Sequence, residues 1–254
     1  MFWAQFSFSL PARVNFVGGG GKTTLILKLL TECAERVPAV YTTTTRIHPP
    51  HPTPGMVIFS SDSERWLETL LERALFGASA PRAFVVTRLP VAPGLLGGVN
   101  PDFANHLAAG LFPVVLTEAD GARSMSIKMP REGEPVMMAG AGYLVPVIGI
   151  DCLDRPVGPE TLFRWEIAST RCGLTAGDIL TPEAAASILL HKQGVCRGWR
   201  PGMQVIPFIN KVDTAALENR AKSLARALLS HSGFPLTRIV WGSLHSGRIG
   251  AVDR

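Results

Sequence analysis

Eight short apolar runs, separated by helix-like segments, restrict the fold of this chain more than any other feature. They are RVNFV (13–17), AVYTT (39–43), MVIFS (56–60), AFVVTR (83–88), PVVLTE (113–118), YLVPVIGI (143–150), QVIPFIN (204–210) and RIVWG (238–242). Several are near-continuous rather than alternating, which marks strands covered on both faces, as in a parallel sheet. Helices fit between them. Thr23 to Glu35 follows a glycine run, Ser61 to Leu75 opens on cap residues, and Pro101 to Ala109 follows Asn100. Thr181 caps a helix that starts at Pro182, and Ala215 to Leu229 follows Asp213 and Thr214. Strand and helix in alternation predict an α/β fold, doubly wound around a mostly parallel sheet.

With 254 residues, 46% of them apolar, the chain can bury a sizeable core. The expectation is a single domain over 1–254, with room for a small insert around 151–203. The opening MFWAQFSFSL reads as an edge strand or a short cap, and LPVAPGLLGGVNP (89–101) as a loop. No window approaches the ~18 uncharged apolar residues of a membrane span. The four cysteines, Cys33, Cys152, Cys172 and Cys196, show no metal or redox spacing. That usage fits a reducing, cytoplasmic setting. The net charge of +5 comes without a dense basic block. It suits anionic small molecules and gives no argument for nucleic acid.

The stretch FVGGGGKTTLILKLL (16–30) places four glycines between a strand and a helix that opens on Lys-Thr. This is the order of a phosphate-binding loop. Glycines let backbone N–H groups turn toward phosphate oxygens, and a helix N-terminus adds positive potential there. Gly18, Gly19, Gly20, Gly21, Lys22, Thr23 and Thr24 are the candidate loop residues. Lys22 would reach the terminal phosphates and the Thr23 hydroxyl would bind magnesium. The full G-x-x-x-x-G-K-[ST] spacing puts its first glycine at Phe16, so the loop is one glycine short. The chain is therefore expected to be P-loop NTPase-like, with either a compact loop that starts at Gly18 or a different entry turn.

Two more strand ends carry chemistry. PVVLTEADGAR leaves Glu118 and Asp120 at the carboxyl end of a buried strand, where open α/β sheets bind ligands. Asp120 is the expected magnesium partner and Glu118 the water-orienting group. VIPFINKVD ends in Asn210-Lys211-Val212-Asp213, the N-K-x-D element that reads guanine. A carboxylate at Asp213 accepts from guanine's ring N–H and amine but faces a lone pair on adenine. GTP is therefore favoured over ATP. Pro207 is awkward in a central strand and predicts a bulge or an edge placement. Thr42 to Thr45 end another strand; Thr44 and Thr45 are candidates to line the terminal phosphate, with Arg46 offsetting its charge. Arg123, Lys128 and Arg131 form a sparse basic stretch able to dock an anion.

TTTTRIHPP (42–50), TEADGARSMSIKMPREGEPV (117–136) and VIGIDCLDRPVG (147–158) follow the glycine loop in order. Together they resemble the selenium-dependent molybdenum hydroxylase accessory family, the YqeC-like proteins, from about residue 14 to 245. The resemblance implies a P-loop nucleotide-binding protein that helps mature molybdenum hydroxylases, through cofactor handling or selenium insertion. It also implies a hydroxylase or its cofactor-handling proteins as partners. Two departures stand out: Gly133 lies where relatives tend to carry a histidine, and an "HRPE"-like stretch reads FRWE (163–166). The leading expectation is a slow, magnesium-dependent GTPase. Rival expectations are a small-molecule kinase or nucleotidyl transferase in molybdopterin metabolism, and a non-catalytic nucleotide or pterin carrier.

Overall fold

The computed structural model describes residues 1–77, 82–231 and 233–254. In chain order it opens with α1 (Phe2–Phe6), β1 (Ala12–Gly18), α2 (Lys22–Ala34), β2 (Ala39–Thr43), β3 (Met56–Ser60) and α3 (Glu64–Leu75). Then come β4 (Ala83–Ala92), β5 (Leu95–Gly97), α4 (Pro101–His106), β6 (Val114–Glu118), β7 (Ile127–Lys128) and β8 (Tyr143–Gly149). The chain ends with β9 (Leu162–Phe163), α5 (Trp165–Cys172), α6 (Pro182–Leu190), β10 (Gln204–Val205), β11 (Phe208–Asn210), α7 (Ala215–Ser230), β12 (Arg238–Gly242) and β13 (Ile249–Asp253). The class is α/β with mostly parallel strands, P-loop NTPase-like.

The chain divides into two compact units. The first comprises Met1–Asn15, Thr23–Gly121 and Val136–Gly142. Its strands run in the order β6-β2-β4-β3, all parallel, with residues 12–15 of β1 beside β6. Every residue of β2 and of β6 is buried, which is why these runs carry no polar alternation. Tyr41, Phe84, Leu116 and the α2 residues Leu25, Ile26 and Leu29 have no exposed surface. The amino-terminal segment is a short helix that buries Phe2 and Phe6.

The second unit comprises Phe16–Lys22, Ala122–Pro135 and Tyr143–Arg254. Its strand order is β13-β12-β11-β8, continued by residues 16–18 of β1, and β10 also pairs with β8. β13 alone of these runs antiparallel to its neighbour, β12. β7 and β9 form a separate two-residue parallel pair. Phe16, Leu144, Val145, Ile148, Phe208 and Ile209 are fully buried.

Three expectations change in detail. The stretch 89–101 is not an open loop: β4 runs on to Ala92 and folds back antiparallel onto β5. Pro93 and Gly94 make that reversal, with Gly94 at φ +69°. The run 204–210 splits at Ile206 and Pro207, because proline has no N–H for the ladder. The helix begun at Pro101 is α-helical through His106 and then widens into a π-helical turn over Leu107–Leu111. Among the described residues no helix is long and apolar enough to cross a membrane.

Candidate functional site

The glycine loop lies in the second unit, and close backbone packing accounts for its composition. Gly18 and Gly20 have φ +93° and +79°, a region that L side chains rarely adopt. A Cβ on Gly18 would run into the Val147 carbonyl, and one on Gly20 into the Gly149 amide. Two loop amides already have acceptors: Gly19 N–H donates to Val147 O and Gly20 N–H to Met125 O, each at 2.9 Å. The Lys22 side chain curls over its own loop, its ammonium donating to Gly18 O at 2.6 Å with only 4% of the residue exposed. A buried ammonium must be met by oxygens. Here one of them is a carbonyl at the mouth of the loop.

The base-reading candidate closes on the same loop. Asn210, at the end of β11, donates from Nδ2 to Gly20 O at 2.7 Å and accepts from Leu244 N–H at 3.4 Å. In the β8–β11 register Asn210 lies opposite Gly149. Lys211 takes a left-handed conformation, φ +65°. Its ammonium donates to Ser126 Oγ at 2.7 Å and to Asp151 Oδ2 at 2.8 Å. The Asp213 side chain is exposed and accepts a short hydrogen bond from Ser243 Oγ. Ser126, Asp151, Ser243 and Leu244 were not singled out from sequence. Asp151 lies within VIGIDCLDRPVG, a segment whose only role there was to carry family likeness.

The first unit holds the acidic strand end. Register pairs Thr43 with Glu118, so the threonine run and the carboxylate share one end of the β2–β6 pair. Glu118 Oε2 accepts from the Thr23 hydroxyl at 2.8 Å and from the Tyr41 phenol at 2.9 Å. Burial, reinforced by the Glu118 charge, pushes the Tyr41 phenol well above its usual range, so it stays a donor. Asp120 is also buried. Tyr41 was missed, although a lone phenol inside an apolar strand is a readable signal.

Three hydroxyls of the threonine run donate to backbone carbonyls. Thr42 Oγ1 donates to Val86 O at 2.8 Å, Thr43 Oγ1 to Glu118 O at 3.0 Å, and Thr44 Oγ1 to Val136 O at 2.5 Å. Thr45 uses its amide, donating to Thr43 Oγ1 at 3.2 Å. Thr24 and Arg46 are exposed.

Lys128 and Arg123 belong to the second unit and reach other residues there. Lys128 is fully buried and donates to Glu134 Oε2 at 2.7 Å. Arg164, just after β9, grips the same carboxylate with both guanidinium nitrogens, at 2.6 and 2.9 Å. Arg131 adds a bond at 3.1 Å. Arg123 and Arg164 both lie over the Phe163 ring, 5.3 and 4.5 Å from its centroid. Burial alone would raise the Glu134 carboxyl. The Arg164 and Lys128 hydrogen bonds, with their charges, outweigh it and hold the group at about 2. Sequence could not supply Arg164, which is distant from the basic stretch along the chain.

A strand, a glycine-rich turn and a Lys-Thr helix start, set in a mostly parallel α/β fold, define a P-loop NTPase-like protein. The chain belongs to the YqeC family: the family model described as YqeC protein matches residues 14–166, more than half of its length. It is 27% identical over 224 residues to the Escherichia coli "Uncharacterized protein YqeC", covering 87% of this chain and 84% of that one.

Proposed function

We propose that this protein binds a nucleoside triphosphate with magnesium and hydrolyses it slowly, guanine being preferred to adenine. In the same reading it serves as an accessory factor in the maturation of selenium-dependent molybdenum hydroxylases, by way of their cofactor or of selenium. The observation that carries the nucleotide reading is the Lys22 ammonium, buried over its own glycine loop on the Gly18 carbonyl. A phosphate oxygen is a stronger acceptor for that cation than a neutral carbonyl. With the Gly19 and Gly20 amides bonded to Val147 and Met125, phosphate would meet Lys22 and the amides at the start of α2.

The donor set suits magnesium. A hydroxyl and a carboxylate already in contact, Thr23 and Glu118, are the hard oxygen ligands that this ion takes alongside phosphate. Magnesium bound there would neutralise phosphate charge. Because the carboxylate that Thr23 meets is Glu118, this reading gives Glu118 the metal role first expected of Asp120. Asp120 becomes the candidate to orient water. Tyr41 fixes the Glu118 carboxylate through the second bond to Oε2. Asp213, exposed beyond Asn210, would accept the guanine N–H and amine, while Asn210 ties that reader to Gly20. Arg46 is exposed and would offset phosphate charge.

The test is calorimetric titration of the folded chain with GTP and with ATP, with and without magnesium, beside Lys22→Ala. Magnesium-dependent binding that weakens in the variant is expected. A folded wild-type protein that takes up neither nucleotide ends the proposal.

A further inference from the structure

We propose that Lys128, Arg131 and Arg164 form an oxyanion site, occupied in this structure by the protein's own Glu134, that takes the phosphate or carboxylate of a small molecule. This goes beyond the nucleotide reading and does not depend on it. The donors and the acceptor are built differently. Lys128 lies in β7 and Arg164 directly follows β9, and the β7–β9 pairing sets Lys128 opposite Phe163. The Lys128 side chain has no exposed surface and Arg164 only 19%, so both cations are fixed by the fold. Glu134 arrives on a turn whose residues 131–133 are exposed. Gly133 in that turn has φ +77°, with open space where a Cβ would stand. The turn closes through Glu134 N–H to Arg131 O at 3.2 Å. The carboxylate can therefore leave without unpacking a core.

The contacts themselves describe the ligand. Each Glu134 oxygen receives two charged donors: Oε2 from Lys128 at 2.7 Å and Arg164 Nη1 at 2.6 Å, Oε1 from Arg164 Nη2 at 2.9 Å and Arg131 Nε at 3.1 Å. A planar two-nitrogen fork with a point cation beside it is the arrangement that proteins use for free carboxylates and phosphate monoesters. Arg131 and Arg164 together already carry one positive charge more than Glu134 can offset, and Arg131 is 68% exposed at the entrance. Glu132, adjacent in the exposed turn, would leave with Glu134. Removing both carboxylates raises the positive potential that a dianion meets.

The test is thermal unfolding of the full chain in sodium phosphate, sodium acetate and sodium chloride at matched ionic strength. The variants are Lys22→Ala, Arg131→Ala and Glu134→Gln. Phosphate should raise the melting temperature beyond chloride in the wild type. The rise should persist in Lys22→Ala, which separates this site from the glycine loop, and shrink in Arg131→Ala. In Glu134→Gln, phosphate should bind about tenfold tighter or more, the scale of one charged hydrogen bond regained. A rise with acetate as well assigns carboxylate ligands; a rise with phosphate alone assigns phosphate esters. A wild-type rise no larger than chloride's overturns the site. So does one that vanishes in Lys22→Ala and is unchanged in Arg131→Ala. Should Glu134→Gln fail to fold, these wild-type and single-variant comparisons still decide the matter.

Discussion

Glu134→Gln is the substitution whose cost the structure sets most directly. Glutamine keeps the shape but loses the charge, and its amide turns N–H groups toward cations. A carboxyl moved from 4.5 to about 2, at about 1.4 kcal/mol per tenfold change in proton affinity, contributes on the order of 3 kcal/mol. Breaking one side of a buried ion pair typically costs about 3–5 kcal/mol, which agrees. The sign follows from the lowered value. The contribution is complete above 4.5, where the unfolded carboxyl is also ionised, and drains away as pH falls toward 2. At pH 3.5 the wild type should retain about 2 kcal/mol of it. Urea unfolding of both proteins at pH 7, 5 and 3.5, followed by circular dichroism and tryptophan emission, reads this directly. The gap should be about 3 kcal/mol at pH 7 and narrow to about 2 kcal/mol at pH 3.5. A gap that does not narrow on acidification, or no gap at pH 7, refutes the reasoning that Glu134 is held as an anion by Arg164 and Lys128.

Four further outcomes follow from the structure and the proposed function. Gly20→Ala forces a Cβ into the Gly149 amide at a positive φ, and should lose about 2–4 kcal/mol of stability. Gly110→Ala, with open space around its Cβ, should stay within about 0.5 kcal/mol of wild type in the same denaturation assay. Tyr41→Phe removes a donor to Glu118 Oε2 and should cost about 1.5–3 kcal/mol by thermal or urea unfolding, the range for hydrogen bonds to charged groups. Asp213→Asn should weaken GTP at least about tenfold and improve binding of a xanthine nucleotide, measured by titration, because the acceptor pair becomes part donor.

The strands were legible wherever burial on both faces wrote a continuous apolar run. AVYTT and RIVWG match β2 and β12 residue for residue, and MVIFS matches β3 although that strand is half-buried throughout, because Met56 to Phe59 are apolar all the same. Caps were equally readable at Asn100, Thr181 and Thr214, each of which accepts a backbone N–H at a helix start, whereas α3 starts three residues after the expected Ser61 and is capped by Ser63. What failed to show lacked a dense apolar run or was masked by turn residues. β13, IGAVD, is half-buried along most of its length and pairs as an outer strand on β12, so it lacks the apolar density that marks the others. The hairpin of β4 and β5 was hidden by its proline and glycine, which serve the reversal and an irregular ladder rather than a loop. Within the sites, Thr44 and Thr45 are candidate phosphate-lining residues because hydroxyls in a row suggest donors; the fold adds a backbone acceptor for Thr44, the Val136 carbonyl.

The four glycines follow the same logic. A glycine run before Lys-Thr can be explained by a ligand that needs bare backbone, and that was the expectation. The second unit supplies another cause: the loop presses on backbone from β8 and from residues 125–127, where side chains would collide. The two causes are compatible because they act on different atoms. Packing uses the Cα positions and the Gly19 and Gly20 amides, while the Lys22 ammonium rests on a carbonyl that phosphate could replace. They also predict different failures. An alanine at Gly20 should damage the fold with or without nucleotide, whereas Lys22→Ala should spare the fold and remove binding. If both variants lost stability equally and nucleotide rescued neither, the loop would be a packing element alone.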